Sequence, residues 1–189
     1  YFFLADDALC RTADSTLLLY PNAREPRTYR IPDGITAISA YAFYDCDLLE
    51  SVVVPDSVTQ LPARAFSGCS ALASVSLPDS LTEIGTAAFS GCSALTGIRI
   101  PAAITEIINH TFSGCTSLAT LEIPDSVTKI GDYAFFGCTS LTSIAIPDSV
   151  TTIGNGAFSN CTALTLTVTP DSYAAEYAKA NAIPYTYVD

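Results

Sequence analysis

Hydrophobic positions recur along this chain with one fixed step. Phenylalanine stands at 43, 66, 89, 112, 135 and 158, proline at 32, 55, 78, 101, 124, 147 and 170, and cysteine at 46, 69, 92, 115, 138 and 161; every interval is 23 residues. Three aliphatic rows keep the same step, from Ile35 to Val150, from Ile38 to Ile153 and from Leu49 to Leu164. No insertion or deletion interrupts this spacing. A step without slippage means that each unit is one turn of a coil stacked on copies of itself, since one added residue would carry its apolar set to the wrong face. The pattern predicts a solenoid of seven coils.

Within a unit, Ile144 and Ile146 alternate and stop at Pro147, which has no N–H to extend a ladder. This predicts one short strand per coil, paired in parallel with its copies. Asp-Ser then signals a turn, and Val-Thr-x-Ile a second, short return strand. Ala-Phe-x-x-Cys brings the chain back as a single helical or 3₁₀ turn. The residue before each cysteine is Asp45, Gly68, Gly91, Gly114, Gly137 or Asn160, the types that best tolerate a left-handed backbone. The whole chain, 1–189, is expected to be a single domain of α/β repeat-solenoid class, with repeats over 28–170. Residues 1–27 form an N-terminal capping unit, with Ala8–Arg11 and Leu17–Tyr20 as a hairpin around Ala13–Thr16. Residues 171–189 form a C-terminal cap: an amphipathic helix from Ser172 to Asn181, then a strand over Ile183–Val188.

The unit is seen almost complete in Ile123-Pro-Asp-Ser-Val-Thr-Lys-Ile-Gly-Asp-Tyr-Ala-Phe-Phe-Gly-Cys-Thr-Ser-Leu-Thr-Ser-Ile-Ala145. It closely resembles the BspA-like, bacterial surface-antigen type of leucine-rich repeat. The likeness covers 28–170, and both ends look like family material. Pro62 and Ile108 depart from it in place of Gly, Ala102-Ala103 in place of Asp-Ser, and Thr111 in place of Ala; these are expected to touch coil edges only. The resemblance implies secreted or surface-anchored bacterial proteins used for adhesion to host matrix, host cells or other microbes. It brings no catalytic residues and no defined ligand.

Composition trims the alternatives. Nineteen acidic against eight basic residues give a net charge of -11, which excludes a nucleic-acid backbone as partner. One histidine, His110, leaves no multi-histidine metal site, and its position varies between coils as an exposed site would. No run of about 18 apolar residues is present, so no membrane span is expected. A chain without methionine suggests a processed chain or an excised module.

Four constellations could carry function. On the strand face the outward positions are Val53, Ser76, Arg99, Glu122 and Ala145, with Arg99 and Glu122 as stacked neighbours expected to form an exposed ion pair. An alternative contact patch comprises Tyr41, Tyr44, Tyr133 and Phe136. The ladder Cys46, Cys69, Cys92, Cys115, Cys138 and Cys161 has parallel Cβ directions, which suit neither a disulfide torsion nor tetrahedral zinc, so buried free thiols filling the turn are expected. Cys10 lies outside the ladder and is also expected to be free. The row Asp33, Asp56, Asp79, Asp125, Asp148 and Asp171 is either a calcium site or, as favoured here, turn chemistry in which each carboxylate bonds the local backbone. The expected function is a non-enzymatic extracellular or cell-surface binding and adhesion module for a protein or glycan, monomeric and without cofactor or metal. The alternatives are a passive spacer in a larger surface protein and an enzyme on a parallel β-helix.

Overall fold

The computed structural model describes residues 1–6, 8–22 and 27–188, so 23–26 of the expected N-terminal cap fall outside it. In chain order the elements are β1 (Phe2–Ala5), β2 (Ala8–Arg11), β3 (Thr16–Leu19), β4 (Thr28–Arg30), β5 (Ala37–Ile38), β6 (Ser51–Val53), β7 (Gln60–Leu61), β8 (Ser74–Ser76), β9 (Glu83–Ile84), β10 (Glu106–Ile107), β11 (Lys129–Ile130), β12 (Ser143–Ala145), β13 (Thr152–Ile153), β14 (Thr165–Val168), α1 (Tyr173–Ala180) and β15 (Tyr185–Tyr187). They wind into the solenoid that the 23-residue step predicts. In each coil the proline carbonyl accepts from the N–H three residues on, at 2.9–3.1 Å, and this turn separates the main strand from the return strand.

The main ladder is not continuous. At one end β4, β6 and β8 pair in parallel with the 23-residue step, and at the other β12, β14 and β15 do so. Between them, Gly97 to Arg99 and Thr120 to Glu122 are not strands; an isolated bridge joins Gly97 to Thr120. The step also slips once. Ser143 pairs with Thr165 and Ile144 with Leu166, 22 residues apart, because Leu164, Leu166 and Val168 alternate strictly where the preceding coil has Leu141, Ile144 and Ile146. One residue is lost before the strand and regained before Pro170, so the proline spacing hides the slip.

The return ladder breaks at two places, and one residue position explains both. Pairing joins β7 to β9, β10 to β11 and β11 to β13, and each downstream strand is followed by Gly85, Gly131 or Gly154. A Cβ at Gly85 would lie 2.5 Å from the backbone of Pro62 and Ala63, and one at Gly154 2.5 Å from Asp132 N. Without it, the glycine N–H reaches the coil before: Gly85 N to Leu61 O is 2.8 Å, Gly131 N to Ile107 O 2.7 Å and Gly154 N to Ile130 O 2.8 Å. Pro62 has no N–H and Ile108 carries the Cβ. There β5 does not pair with β7, nor β9 with β10. Glu83 and Glu106 would also stand side by side across the second break, where like charges oppose pairing. These departures from the repeat thus reach beyond coil edges and interrupt a ladder.

The Ala-Phe-x-x-Cys arc is continuous from coil to coil. Phe43, Phe66, Phe89, Phe112 and Phe135 each donate their N–H to a carbonyl of the next coil, at 2.8–3.0 Å. Their rings and that of Phe158 form one buried column, with centroids 4.8–5.7 Å apart. Such pairs contribute roughly 0.5–1.5 kcal/mol each beyond area burial. The arc closes i to i+3 bonds, as the expected 3₁₀ turn would, for instance Cys115 N to Phe112 O at 3.1 Å. It never becomes a helix, because left-handed residues flank it on both sides. The residue before each cysteine has φ between 53° and 81°, as expected, and Tyr41, Arg64, Ala87, His110, Tyr133 and Gly156 form a second such row at 53–63°. A left-handed L-residue costs about 1–2 kcal/mol. Here it aims the N–H along the solenoid axis: His110 N donates to Asp132 O at 2.9 Å and Tyr133 N to Asn155 O at 3.0 Å. The variety along this row therefore does not mark simple exposure, and Ala87 is buried.

Both ends are closed. The expected hairpin forms, β2 antiparallel to β3, and β1 adds a third antiparallel strand; β3 then joins the return ladder through β5. Tyr20 stacks on Phe43 at 5.2 Å. At the far end Ser172 caps α1 by accepting from Ala175 N, and Tyr177 stands edge-on to Phe158.

Candidate functional site

The five outward positions of the main strand face lie along two adjoining depressions. Val53, Ser76 and Arg99 line the first, of ≈560 Å³, together with Arg30, Asp33, Asp56 and Asp79. Arg99, Glu122 and Ala145 line the second, of ≈860 Å³, with Ile98, Ile100, Ala102, Leu121 and Pro124. The second sits where the main ladder is interrupted. Ile31, Val54 and Ile146 donate their N–H to the next coil, but among the described residues Leu77, Ile100 and Ile123 make no such bond.

Arg99 forms the ridge between the two, and its partner differs from the expected one. Its Nη1 lies 2.6 Å from Asp79 Oδ1 in the turn of the preceding coil, whereas Glu122 makes no ion pair among the described residues. With the coils unpaired at Gly97–Arg99 and Thr120–Glu122, the two side chains do not hold the in-register contact that an ideal ladder would give. The aspartate row is corrected too. Asp33 and Asp79 engage Arg30 and Arg99, and no side chain of the row bonds backbone; the serine that follows does so instead. Ser57, Ser126 and Ser149 hydroxyls donate to Ile35, Ile104 and Val127 carbonyls at 2.6–2.7 Å, tying each turn to the coil before. Among the described residues no group of three or more His, Cys, Asp or Glu is arranged to hold a metal ion.

The alternative aromatic patch falls into two separate clusters, Tyr41 with Tyr44 at 5.6 Å and Tyr133 with Phe136 at 5.9 Å, both edge to face. His110 stacks flat on Tyr133 at 5.2 Å, and the other side of Tyr133 packs on Gly156, where a Cβ would come within 2.7 Å of the ring. The broad face of Tyr133 is thus consumed within the molecule.

The cysteine ladder does more than fill space. Cys69, Cys92, Cys115, Cys138 and Cys161 each donate Sγ–H to the phenylalanine carbonyl of the coil before, at 2.9–3.2 Å. All seven thiols are free, Cys10 included, and all but Cys161 are buried. Burial pushes Cys92 up, and Cys115 up to about 12. Cys161, at the open end, is lowered, chiefly by a hydrogen bond from Cys138. A residue identity repeated six times signalled the column, but the thiol bond depends on the carbonyl direction, which the arc sets.

A family model described as BspA type leucine rich repeat region matches residues 28–174 in six copies. Among solved structures, the chain is similar to a leucine-rich cell surface protein from Faecalibacterium prausnitzii, with 34% identity over 84% of this chain and 50% of that one, and a TM-score of 0.64. It is also similar to the T. pallidum leucine-rich repeat protein TpLRR (28% identity, 100% and 94% coverage, TM-score 0.75) and to a leucine-rich repeat protein from Eubacterium ventriosum (25%, 84% and 49%, 0.67). The chain spans about half the length of the first and third. Among curated proteins none matches.

Proposed function

Since the chain belongs to the BspA-type leucine-rich-repeat family, we propose that it is a non-enzymatic binding module of a bacterial cell surface that docks a protein or glycan on its main strand face. The observation that carries this is the pair of depressions on that face, ≈560 and ≈860 Å³, meeting at Arg99 where the ladder opens. Val53, Ser76, Arg99, Glu122 and Ala145 are the contact positions. The coils around them are held by the bonded arc, so the surface is presented without large rearrangement. The F. prausnitzii structure, described as a cell surface protein, supports the location. Monomeric action is part of the proposal.

An array of matrix proteins and glycans probed with this chain tests it. A ligand is expected whose binding falls about tenfold in the Arg99→Glu, Glu122→Lys double variant. Binding that survives this double reversal, or an array without any ligand, would leave the spacer as the better account. Turnover in a carbohydrate-hydrolysis screen would refute the non-enzymatic assignment.

A further inference from the structure

The open stretch of the strand face has chemistry that selects a class of partner. Its depression of ≈860 Å³ lies in the size range of sites that enclose ligand groups. Ile98, Ile100 and Leu121 contribute apolar surface, and Ala102 takes the place of the aspartate that every other full coil carries after its proline. The floor is therefore apolar where the rest of the row is charged. Arg99, the one cation of the lining, is engaged outside the depression by Asp79 at 2.6 Å. That leaves Glu122 as its unpaired charge, and Asp125, one coil beyond Ala102, also makes no ion pair among the described residues.

We propose that this depression docks a basic protein segment, one Lys or Arg of which lays its aliphatic stem on the apolar floor and brings its charged head to Glu122. The inference rests on the binding function proposed above and narrows its partner. A long basic side chain has the amphipathic build this site fits, an apolar stem carrying a terminal cation. The net charge of -11 would steer such a segment toward the chain. A glycan is less suited, since the strand face has no aromatic ring in either depression and the exposed Tyr133 spends its faces on His110 and Gly156.

The test uses the whole chain, ¹⁵N-labelled, and short Gly/Ser peptides that differ only at one central residue: Lys, Arg, norleucine or Glu. The Lys and Arg peptides are expected to shift amides within 98–102, 120–124 and 143–145. Norleucine, which keeps the stem and loses the head, should bind about fivefold more weakly, and Glu122→Gln should weaken the Lys peptide by a similar factor. Ala102→Trp, which fills the floor from an exposed position, should abolish the shifts while circular dichroism stays unchanged. Norleucine binding as well as Lys, shifts centred on Asp33 and Asp56, or indifference to both variants would each overturn the proposal. If no peptide binds while the chain still captures a neutral ligand from the array, this inference fails and the broader function stands. If the chain captures nothing at all, both fail.

Discussion

The cysteine side and the strand sides of this solenoid are built from the same repeats, yet one is continuous and the other is not. Along the arc, a backbone bond, a thiol bond and a ring contact join Phe89 to Phe112 and their flanking residues just as they join every other pair of internal coils. At the same level of the molecule both strand ladders are open. The difference lies in what each ladder asks of its side chains. The arc needs one phenyl, one thiol and two left-handed residues, and the coil of Phe112 supplies them all. The return ladder needs the absence of a Cβ, which Ile108 does not provide. A repeat protein can thus stay rigid on one side while single substitutions open the other, and the open side is where a partner can be met.

The largest effect should follow from cutting the arc. Phe112→Ala removes the middle of the ring column and is expected to cost about 3–5 kcal/mol in chemical denaturation, against about 2 kcal/mol for Leu121→Ala beside the open depression, where no closed cavity is left. Equal losses would dissolve the contrast.

Gly131→Ile should impose on an intact level what Ile108 does at the open one. Its Cβ would lie 2.7 Å from Asn109 N, so a loss of about 1–3 kcal/mol and faster amide exchange at Ile130 are expected. The converse change, Ile108→Gly, should slow amide exchange at Ile107 about fivefold by letting β10 pair with β9. An unchanged rate would move the cause to repulsion between Glu83 and Glu106, and Glu106→Gln would then restore pairing.

The thiols give the arc a pH dependence. With Cys92 and Cys115 raised in the folded state, Cys115 to about 12, their contribution is present below about pH 9 and is lost as pH rises through the folded values. The melting temperature of the native chain should fall more steeply between neutral and strongly alkaline pH than that of Cys92→Ala, Cys115→Ala. At the N-terminal cap the sign reverses. The Arg11 guanidinium, in two hydrogen bonds, holds Asp14 down to about 2, so this smaller contribution is present above about pH 4 and is lost as pH falls toward 2. A carboxyl titration followed by NMR, in native chain and Arg11→Gln, checks it.

Much of this architecture can be read from spacing alone. The coil, its core rows, the left-handed residue before each cysteine and both caps follow from residue types that have few other uses at a fixed step. The second left-handed row is silent in sequence, because Tyr, Arg, Ala and His carry no backbone signal and Gly156 stands alone among them. The ladder breaks are silent for another reason: a missing glycine matters only once Gly85 is known to press on the backbone of Pro62 and Ala63. The partner of Arg99 could not be inferred from stacking, since Asp79 is 20 residues away rather than 23 and is reached from a turn. The strand-face positions were legible as a row, whereas the opening between them was not.

The aromatic column has one more implication. Tyr20 and Tyr177 finish it as end groups finish a polymer, and the edge-on ring of Tyr177 offers no flat face for another phenyl to join. Recombination between near-identical stretches of coding sequence can therefore insert or delete whole internal units while both terminators survive. The length of the surface shown to partners becomes a heritable quantity that changes in integers.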